Sequence, residues 1–414
     1  MTLRRVVVTG LGVISPLGND PGTLFSRLLA AESAIRLITA DGPRGQYSVI
    51  AAPVEFDPAQ YFPPPQKTDN LDRVSQFSIA AAAMALKDST IRLTDDDKRR
   101  FGVSWGTGMG AANTLEETYI QLLQRDPDRV KPMTVLTVMN NAASAHIAIQ
   151  HGLSGPNLTY SCACSSSAVA IGEACRQIRH GYADAMIAGG AEAPLSFGLV
   201  KAWEALRVLA IPDRANPPAS CRPFSKNRSG LVLGEGAAMV VLEEREAAIR
   251  RGARLYGELV GYGSSNDSSH ITKPSVDGQA HAMSLALADA GLTPSDIDYV
   301  NAHGTGTALN DVTETRAIKQ VFGERAYKIP VSSTKSMHGH LLGGAGAMEF
   351  VIALLAMHRQ AVPPTAHLEH PDPECDLDYV AGRGRRDQNI HGIMSNSFAF
   401  GGTNAVLIAR QTEQ

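Results

Sequence analysis

Val6–Gly18 reads VVVTGLGVISPLG, and Leu255–Asp267 reads LYGELVGYGSSND. Each is an apolar run broken by glycines, the pattern of a buried strand ending in tight turns. The residues after each copy repeat one plan. In the first half an alanine-rich helical stretch, SQFSIAAAAMALKDS (75–89), leads to the strand FGVSW and then Gly106-Thr107-Gly108. In the second half GQAHAMSLALADAGL (278–292) leads to IDYVNAH and then Gly304-Thr305-Gly306. Met283, Leu287 and Ala290 share one helical face, and Gly291 suits the C-cap. Next, NLTYSCACSSSAVAIGEACRQIRHG (157–181) matches IPVSSTKSMHGHLLGGAGAMEFVIALLAMHRQ (329–360) as strand, turn and helix. ADAMIAGGAEAP then pairs with HGIMSNSFAFGG, and AAMVVLEE with NAVLIAR. Elements recurring in one order predict a duplicated α/β fold, residues 1–252 forming one half and 253–414 the other. A site between the halves is expected, because pockets favour such seams.

Composition narrows the function. The 414 residues carry 38 Lys+Arg and 41 Asp+Glu, a net charge of −3. A dedicated nucleic-acid binder would show a basic excess. Hydrophobic residues at 44% and charged residues at 19% exclude wholesale disorder. The five cysteines are an odd number in a large chain, which fits a reducing compartment better than a disulfide framework. Arg4-Arg5 followed by an apolar run has the outline of a signal peptide. The β-branched Val6, Val7 and Val8, with Gly10, Gly12 and Pro16 interrupting, read instead as a buried opening strand. No apolar stretch reaches the roughly 20 residues that span a bilayer. The expectation is a soluble cytoplasmic protein.

Cys164 is the candidate nucleophile. It follows an apolar strand and precedes a helix marked by Ala168, Ile171, Cys175 and Ile178, with Gly181 as its stop. A helix N-terminus lowers a thiol pKa, and small neighbours leave room for substrate. Cys162 and Cys175 read as structural, and His180, His358 and His391 as structural or exposed. His303, in NAHGTGT, and His340, just before a helix, fall at strand ends, where α/β sheets build sites. His338-x-His340 lacks carboxylates at metal-ligand spacing, so no metal centre is expected. Lys335, in an apolar stretch, needs a carboxylate partner, and Glu349 lies one helix further on. The paired-glycine turn Asn396–Asn404 can aim a backbone N–H into a site as an oxyanion donor. No nucleotide-binding glycine motif has the right spacing, so no nucleotide cofactor is expected.

The chain resembles the β-ketoacyl-[acyl-carrier-protein] synthases of the type II, elongating kind. The matching stretches are VVVTGLGVISPLG, CACSSSAVAIGEA, RPFSKNRSGLVLGEGAA, VNAHGTGT, SSTKSMHGHLLGGAGAMEF, AVPPT, PDPECDLDYV and NSFAFGGTNA, and they run from end to end. The resemblance implies a thiolase-like fold, two duplicated αβα halves forming a five-layer αβαβα sandwich. It implies decarboxylative condensation of an acyl thioester with malonyl-acyl carrier protein, giving a 3-oxoacyl chain in fatty-acid or polyketide elongation. Cys164 would carry the acyl chain. His303 and His340 would bind the malonyl carbonyl, with Lys335 and Glu349 positioning their surroundings. Backbone N–H groups of Cys164 and Phe400 would form the oxyanion hole, and Phe400 would gate the nucleophile.

Substrate binding is implied for Thr305, Thr307, Met109, Phe398, His270 and Arg207. Residues around Met109 and 133–138 would set acyl chain length. No cofactor is implied, because substrates ride on the 4′-phosphopantetheine of acyl carrier protein. Some relatives bind a structural monovalent cation, and the matching positions are Asn301, Ala302, Glu349, Ser395 and Asn396. A homodimer is the usual assembly; the alternative is the catalytic subunit of a heterodimer with a chain-length-factor homologue. A Cys-His hydrolase is the remote alternative, but it has no use for a second histidine. The two-histidine pattern sets the chain apart from relatives using His and Asn. Near the expected carrier-docking positions Lys67, Arg73 and Arg207, Asp69-Asn70 replaces the basic residues of well-known members, which predicts a different carrier partner.

Overall fold

The computed structural model describes residues 3–42 and 45–412. Ten strands form its large sheet. They are β1 (Val6–Ile14), β2 (Phe101–Gly106), β3 (Asn157–Tyr160), β4 (Ala185–Glu192), β5 (Gly236–Glu244), β6 (Gly257–Asn266), β7 (Tyr299–Asn301), β8 (Val331–Ser332), β9 (Gly392–Phe398) and β10 (Thr403–Arg410). The spatial order is β8-β7-β9-β10-β6-β1-β5-β4-β2-β3. Read outward from the middle, one side runs 1-5-4-2-3 and the other 6-10-9-7-8. The second order is the first with five added to every strand, so the duplication read from the sequence is a duplication of topology. The two five-strand sets are joined into one sheet where Val7 pairs with Glu258 and Val8 with Gly257.

The helices used below are α1 (Arg73–Ser89), α2 (Ser166–Arg179), α3 (Phe197–Leu206), α4 (Val276–Ala290), α5 (Ala308–Phe322) and α6 (Ala345–Arg359). Helices α2 and α6 pack on each other and on strands of both sets, forming the central layer. Helix α1 covers the outer face of β1 and β5, while α4 covers β6 and β10, with α5 packed beside it. The result is the αβαβα sandwich. Residues 345–357 of α6 are all buried, as expected of a helix that is apolar all round.

The opening stretches explain the close packing of the outer layers. A Cβ at Gly10 would lie 2.2 Å from the Ala85 carbonyl oxygen, and one at Gly12 would lie 2.0 Å from that of Ala81. In the second half Gly261 and Gly263 meet Ala286 and Ala282 at 2.3 and 2.1 Å. Glycine on the strand and alanine on the helix let the two backbones touch, twice over. These glycines do not end their strands as the sequence reading had it: β1 and β6 run through them. Among the described residues no helix is long and apolar enough to cross a membrane.

Candidate active site

After β3 the chain turns sharply into the central layer. Ala163 has φ of 48°, a left-handed conformation that a side chain adopts only under constraint. Serines supply the constraint. The Ser166 hydroxyl accepts the Cys162 N–H at 2.8 Å and donates to the Ala163 carbonyl at 2.7 Å. The Ser165 hydroxyl donates to the Cys162 carbonyl at 2.9 Å, and that of Ser167 accepts the Ala347 N–H of α6. The serine run therefore ties the turn as well as keeping the neighbourhood small. Cys164 lies in a single 3-10 turn, Ala163–Ser165, directly ahead of α2.

Cys164 is only 7% exposed. Burial pushes its thiol up to about 12, against Lys335 and a hydrogen bond from the Phe400 N–H. This corrects the expectation of a lowered thiol pKa. Desolvation of the thiolate is the largest influence on it, opposite in sign to the lowering expected from the helix end. The resting group is a neutral thiol, and its proton has a destination: His340 Nε2 lies 3.1 Å from Cys164 Sγ.

His303 comes from the loop after β7 and His340 from the turn before α6. Their ring centroids are 5.3 Å apart and nearly perpendicular, at 81°. Both histidines are held well below the ordinary imidazole value, first by burial and then by Lys335. The Lys335 ammonium stands 3.4 Å from His303 Nδ1 and donates to the His303 carbonyl at 2.5 Å. An ammonium can only donate, so Nδ1 of His303 is the acceptor and Nε2 carries the proton. Lys335 also pairs with Glu349, and both side chains are fully buried. Burial raises Glu349 to about 7 despite that pairing.

Glu314 of α5 holds the His303 loop. It accepts the N–H groups of His303 and Gly304, each at 2.8 Å, and the Asn396 amide at 3.2 Å. Sequence reasoning passed over Glu314. The only signal was a carboxylate in a helix just downstream of the NAHGTGT loop. Phe400 sits on the turn after β9, where Gly401 and Gly402 have φ of 87° and 80°. That region suits glycine, and the turn closes through Gly402 N–H to Ala399 and Gly401 N–H to Ile271.

Sulfur and one ring nitrogen from each histidine lie within 4.8 Å of one another. Such a trio could ligate a soft divalent ion, but the Lys335 charge beside His303 opposes a divalent ion on these three ligands. The arrangement is instead that of a thiol with an adjacent proton acceptor and a second imidazole presenting Nε2–H into the same space.

Two family models account for most of the chain: the β-ketoacyl synthase N-terminal domain matches residues 3–248 and the C-terminal domain matches 256–369. The chain belongs to the β-ketoacyl synthase family. It is 44% identical over 408 residues to nodulation protein E of Rhizobium leguminosarum bv. trifolii, covering 99% of each protein. It is 43% identical over 414 residues to 3-oxoacyl-[acyl-carrier-protein] synthase 2 of Coxiella burnetii, again covering 99% of each. Among solved structures it resembles a type II PKS acyl-carrier protein complex with its ketosynthase bound to the hexaketide. That match has a TM-score of 0.91 and 35% identity, and covers 99% of this chain and 100% of that one. The enzyme is thus a ketosynthase that condenses an acyl thioester with malonyl-acyl carrier protein in fatty-acid or polyketide elongation.

The synthase's cleft, of about 320 Å³, reaches Cys164, His303 and His340. Thr305, Thr307, His270, Arg207, Phe398 and Phe400 all line it. The Thr305 and Thr307 hydroxyls bond each other at 2.8 Å. Trp203, Ile271 and Lys273 are further wall residues that sequence reasoning missed, since nothing local marks them. Met109 is not in this cleft. It is 43% exposed and lines a separate apolar groove with Leu115, Tyr119 and Leu123. Its backbone N–H is tied back to Glu192, which turns it outward in the single chain. Arg73 is committed to Glu235 and the Val54 carbonyl, and neither it nor Lys67 lines the mouth. His180, His358 and His391 are exposed and away from the cleft, as expected.

The depressed histidines make a pH prediction. With Cys164 read as the acyl acceptor, its acylation would need neutral His340, 3.1 Å away, to receive the thiol proton. With its pKa well below 6.5, that form persists as pH falls through 6.5. The rate of acyl-Cys164 formation should therefore stay level between pH 8 and 6, with its acid limb lower. A half-maximal point at about 6.5, the value of an unperturbed histidine, would refute the assignment.

Proposed function

We propose that Cys164 takes the acyl chain as a thioester: His340 receives the thiol proton and returns it to the departing carrier thiolate, while the N–H groups of Cys164 and Phe400 stabilise the oxyanion. His303, and His340 once its ring proton stands on Nε2, then donate N–H to the malonyl thioester oxygen. Loss of CO₂ leaves an enolate whose charge these donors neutralise, and its carbon attacks the acyl-Cys164 carbonyl. The Cys164 thiolate leaves and takes up a proton from solvent through His340, and the product is a 3-oxoacyl chain two carbons longer on the carrier. The observation that carries this reading is the 3.1 Å contact between Cys164 and His340, with Lys335 fixing His303 as an Nε2–H donor. Thr305 and Thr307 bond the pantetheine arm, and Phe398 walls the His303 side, its ring centroid 6.0 Å away.

The cleft mouth suits an acidic carrier protein. Arg207 and Lys273 are exposed there, and Leu206, Ile271 and Leu309 are 45%, 69% and 56% exposed beside them. The apolar face built from Leu115, Tyr119, Leu123, Val135, Leu136 and Ile149 is exposed next to edge strand β3, which supports pairing with a second copy in a homodimer. The same face would accept a homologous chain-length-factor subunit. All five cysteines are free, in keeping with the cytoplasm.

The residues matched to a structural cation also fit one. Asn301 Oδ1, Glu349 Oε2, Ser395 Oγ and Asn396 Oδ1 are buried oxygens with no hydrogen-bond partner. Hard oxygen donors suit a monovalent ion, and these residues, with Ala302, would hold it and have their unpaired oxygens satisfied.

The test supplies acyl- and malonyl-carrier protein and follows CO₂ release together with the intact mass of the enzyme. Stoichiometric CO₂ and an acyl adduct on Cys164 are expected. Thioester hydrolysis without CO₂ would indicate the hydrolase instead. The mass of the trapped acyl group also reports chain length.

A further inference from the structure

The end of β4 carries a buried carboxylate that none of the chemistry above uses. Glu192 is 0% exposed. Its Oε1 accepts the Thr107 hydroxyl and the Met109 N–H, each at 3.0 Å. Its Oε2 accepts the N–H groups of Gly108 at 2.7 Å and Gly343 at 3.0 Å. Thr107, Gly108 and Met109 form the loop after β2, in the first half of the chain. Gly343 belongs to the turn between His340 and α6, in the second half. Four donors match the lone-pair capacity of an ionised carboxylate, and an amide could not accept them all.

The His340 turn has two anchors. At one end the His340 N–H donates to the Val232 carbonyl at 2.7 Å, and the Gly234 N–H donates to the His340 carbonyl at 3.0 Å. At the other end stands Glu192. Between them Leu342 has φ of 42°, a conformation that persists only where the surroundings over-determine it.

We infer that Glu192 is a positioning residue for the condensation, a latch between the halves that sets His340 against Cys164. The inference rests on reading Cys164 and His340 as the reacting pair. These two residues come from different halves and lie 176 positions apart. Their separation is therefore fixed by packing and by cross-half bonds such as this one. Misplacement of a reacting group by about 1 Å costs on the order of 100-fold in rate. Glu192 does not line the cleft, so carrier binding does not depend on it.

Glu192→Gln keeps the shape and turns two acceptor positions into a donor facing N–H groups. Acyl transfer to Cys164 is followed by mass spectrometry at several acyl-carrier concentrations. The maximal rate should fall roughly 10- to 100-fold with KM within about twofold of wild type. Thr107→Val removes one donor and should lower the maximal rate in the same direction by less. The double variant should be no slower than Glu192→Gln alone, because both changes open one latch. A purely structural residue would lower thermal stability without this split between rate and KM or this non-additivity. The inference is overturned by a folded Glu192→Gln enzyme that acylates at the wild-type rate, or by losses that multiply. Should Glu192→Gln not fold, Thr107→Val decides alone, and an unchanged rate there overturns it. Failure of the wild-type enzyme to acylate Cys164 would instead strike the proposed function.

Discussion

Replacing Cys164 with alanine is expected to abolish chain elongation, by at least about a thousandfold, without disturbing the fold. The size follows from the site. The thiol is the one nucleophile that meets both histidines, with His340 Nε2 at 3.1 Å. Without it the enolate has no acyl partner held in the cleft. The fold survives because the Cys164 thiol ties no element in place beyond its contact with His340, and a methyl group suits its apolar cluster with Leu231, Leu233 and Leu342. Malonyl decarboxylation should continue, because the donors on His303 and His340 remain. The measurement is elongation and CO₂ release side by side. Loss of both would place Cys164 in decarboxylation as well, and retained elongation would remove it as the nucleophile.

Lys335→Met is expected to cost about 3–5 kcal/mol of stability and at least about tenfold in activity, for separate reasons. Lys335 and Glu349 are both fully buried, so removing one leaves the other charge uncompensated. Glu349 already lies near 7 because of burial, and loss of Lys335 drives it further up until it holds a proton. The activity loss has another origin. Lys335 fixes the His303 tautomer through Nδ1 and keeps both imidazoles neutral. Without it their pKa values rise, and the acid limb of acyl transfer moves up toward 6.5. The double variant Lys335→Met, Glu349→Leu separates the two effects. Stability by chemical denaturation should largely return, since no orphaned charge remains, while activity should not. Recovery of activity with stability would reduce Lys335 to a structural role.

The duplicated stretches made the fold legible, because a strand that must let a helix backbone touch it needs glycine at alternate positions. Gly10 and Gly12 against Ala81 and Ala85, repeated as Gly261 and Gly263 against Ala282 and Ala286, are that requirement written twice. The site was legible where a residue type is chemically rare at its position. A cysteine at a strand-to-helix turn, histidines at strand ends and a lysine in an apolar stretch each stand out. Glu192 and Glu314 did not, because a carboxylate followed by small residues or set in a helix looks like any surface acid. Their importance lies in partners from other elements. Met109 lines a groove apart from the cleft in the single chain.

By itself, then, the sequence determined the duplicated architecture and pointed to the candidate reacting groups, since backbone geometry and side-chain chemistry are local properties. Only the tertiary structure decided their state. Burial, a property of the whole packed molecule, pushes the Cys164 thiol up and both imidazoles down, the reverse for the thiol of what the helix end led local reasoning to expect. It likewise decided which distant carboxylates hold the loops in place, because hydrogen-bond partners 10 to 151 residues apart are brought together by packing alone.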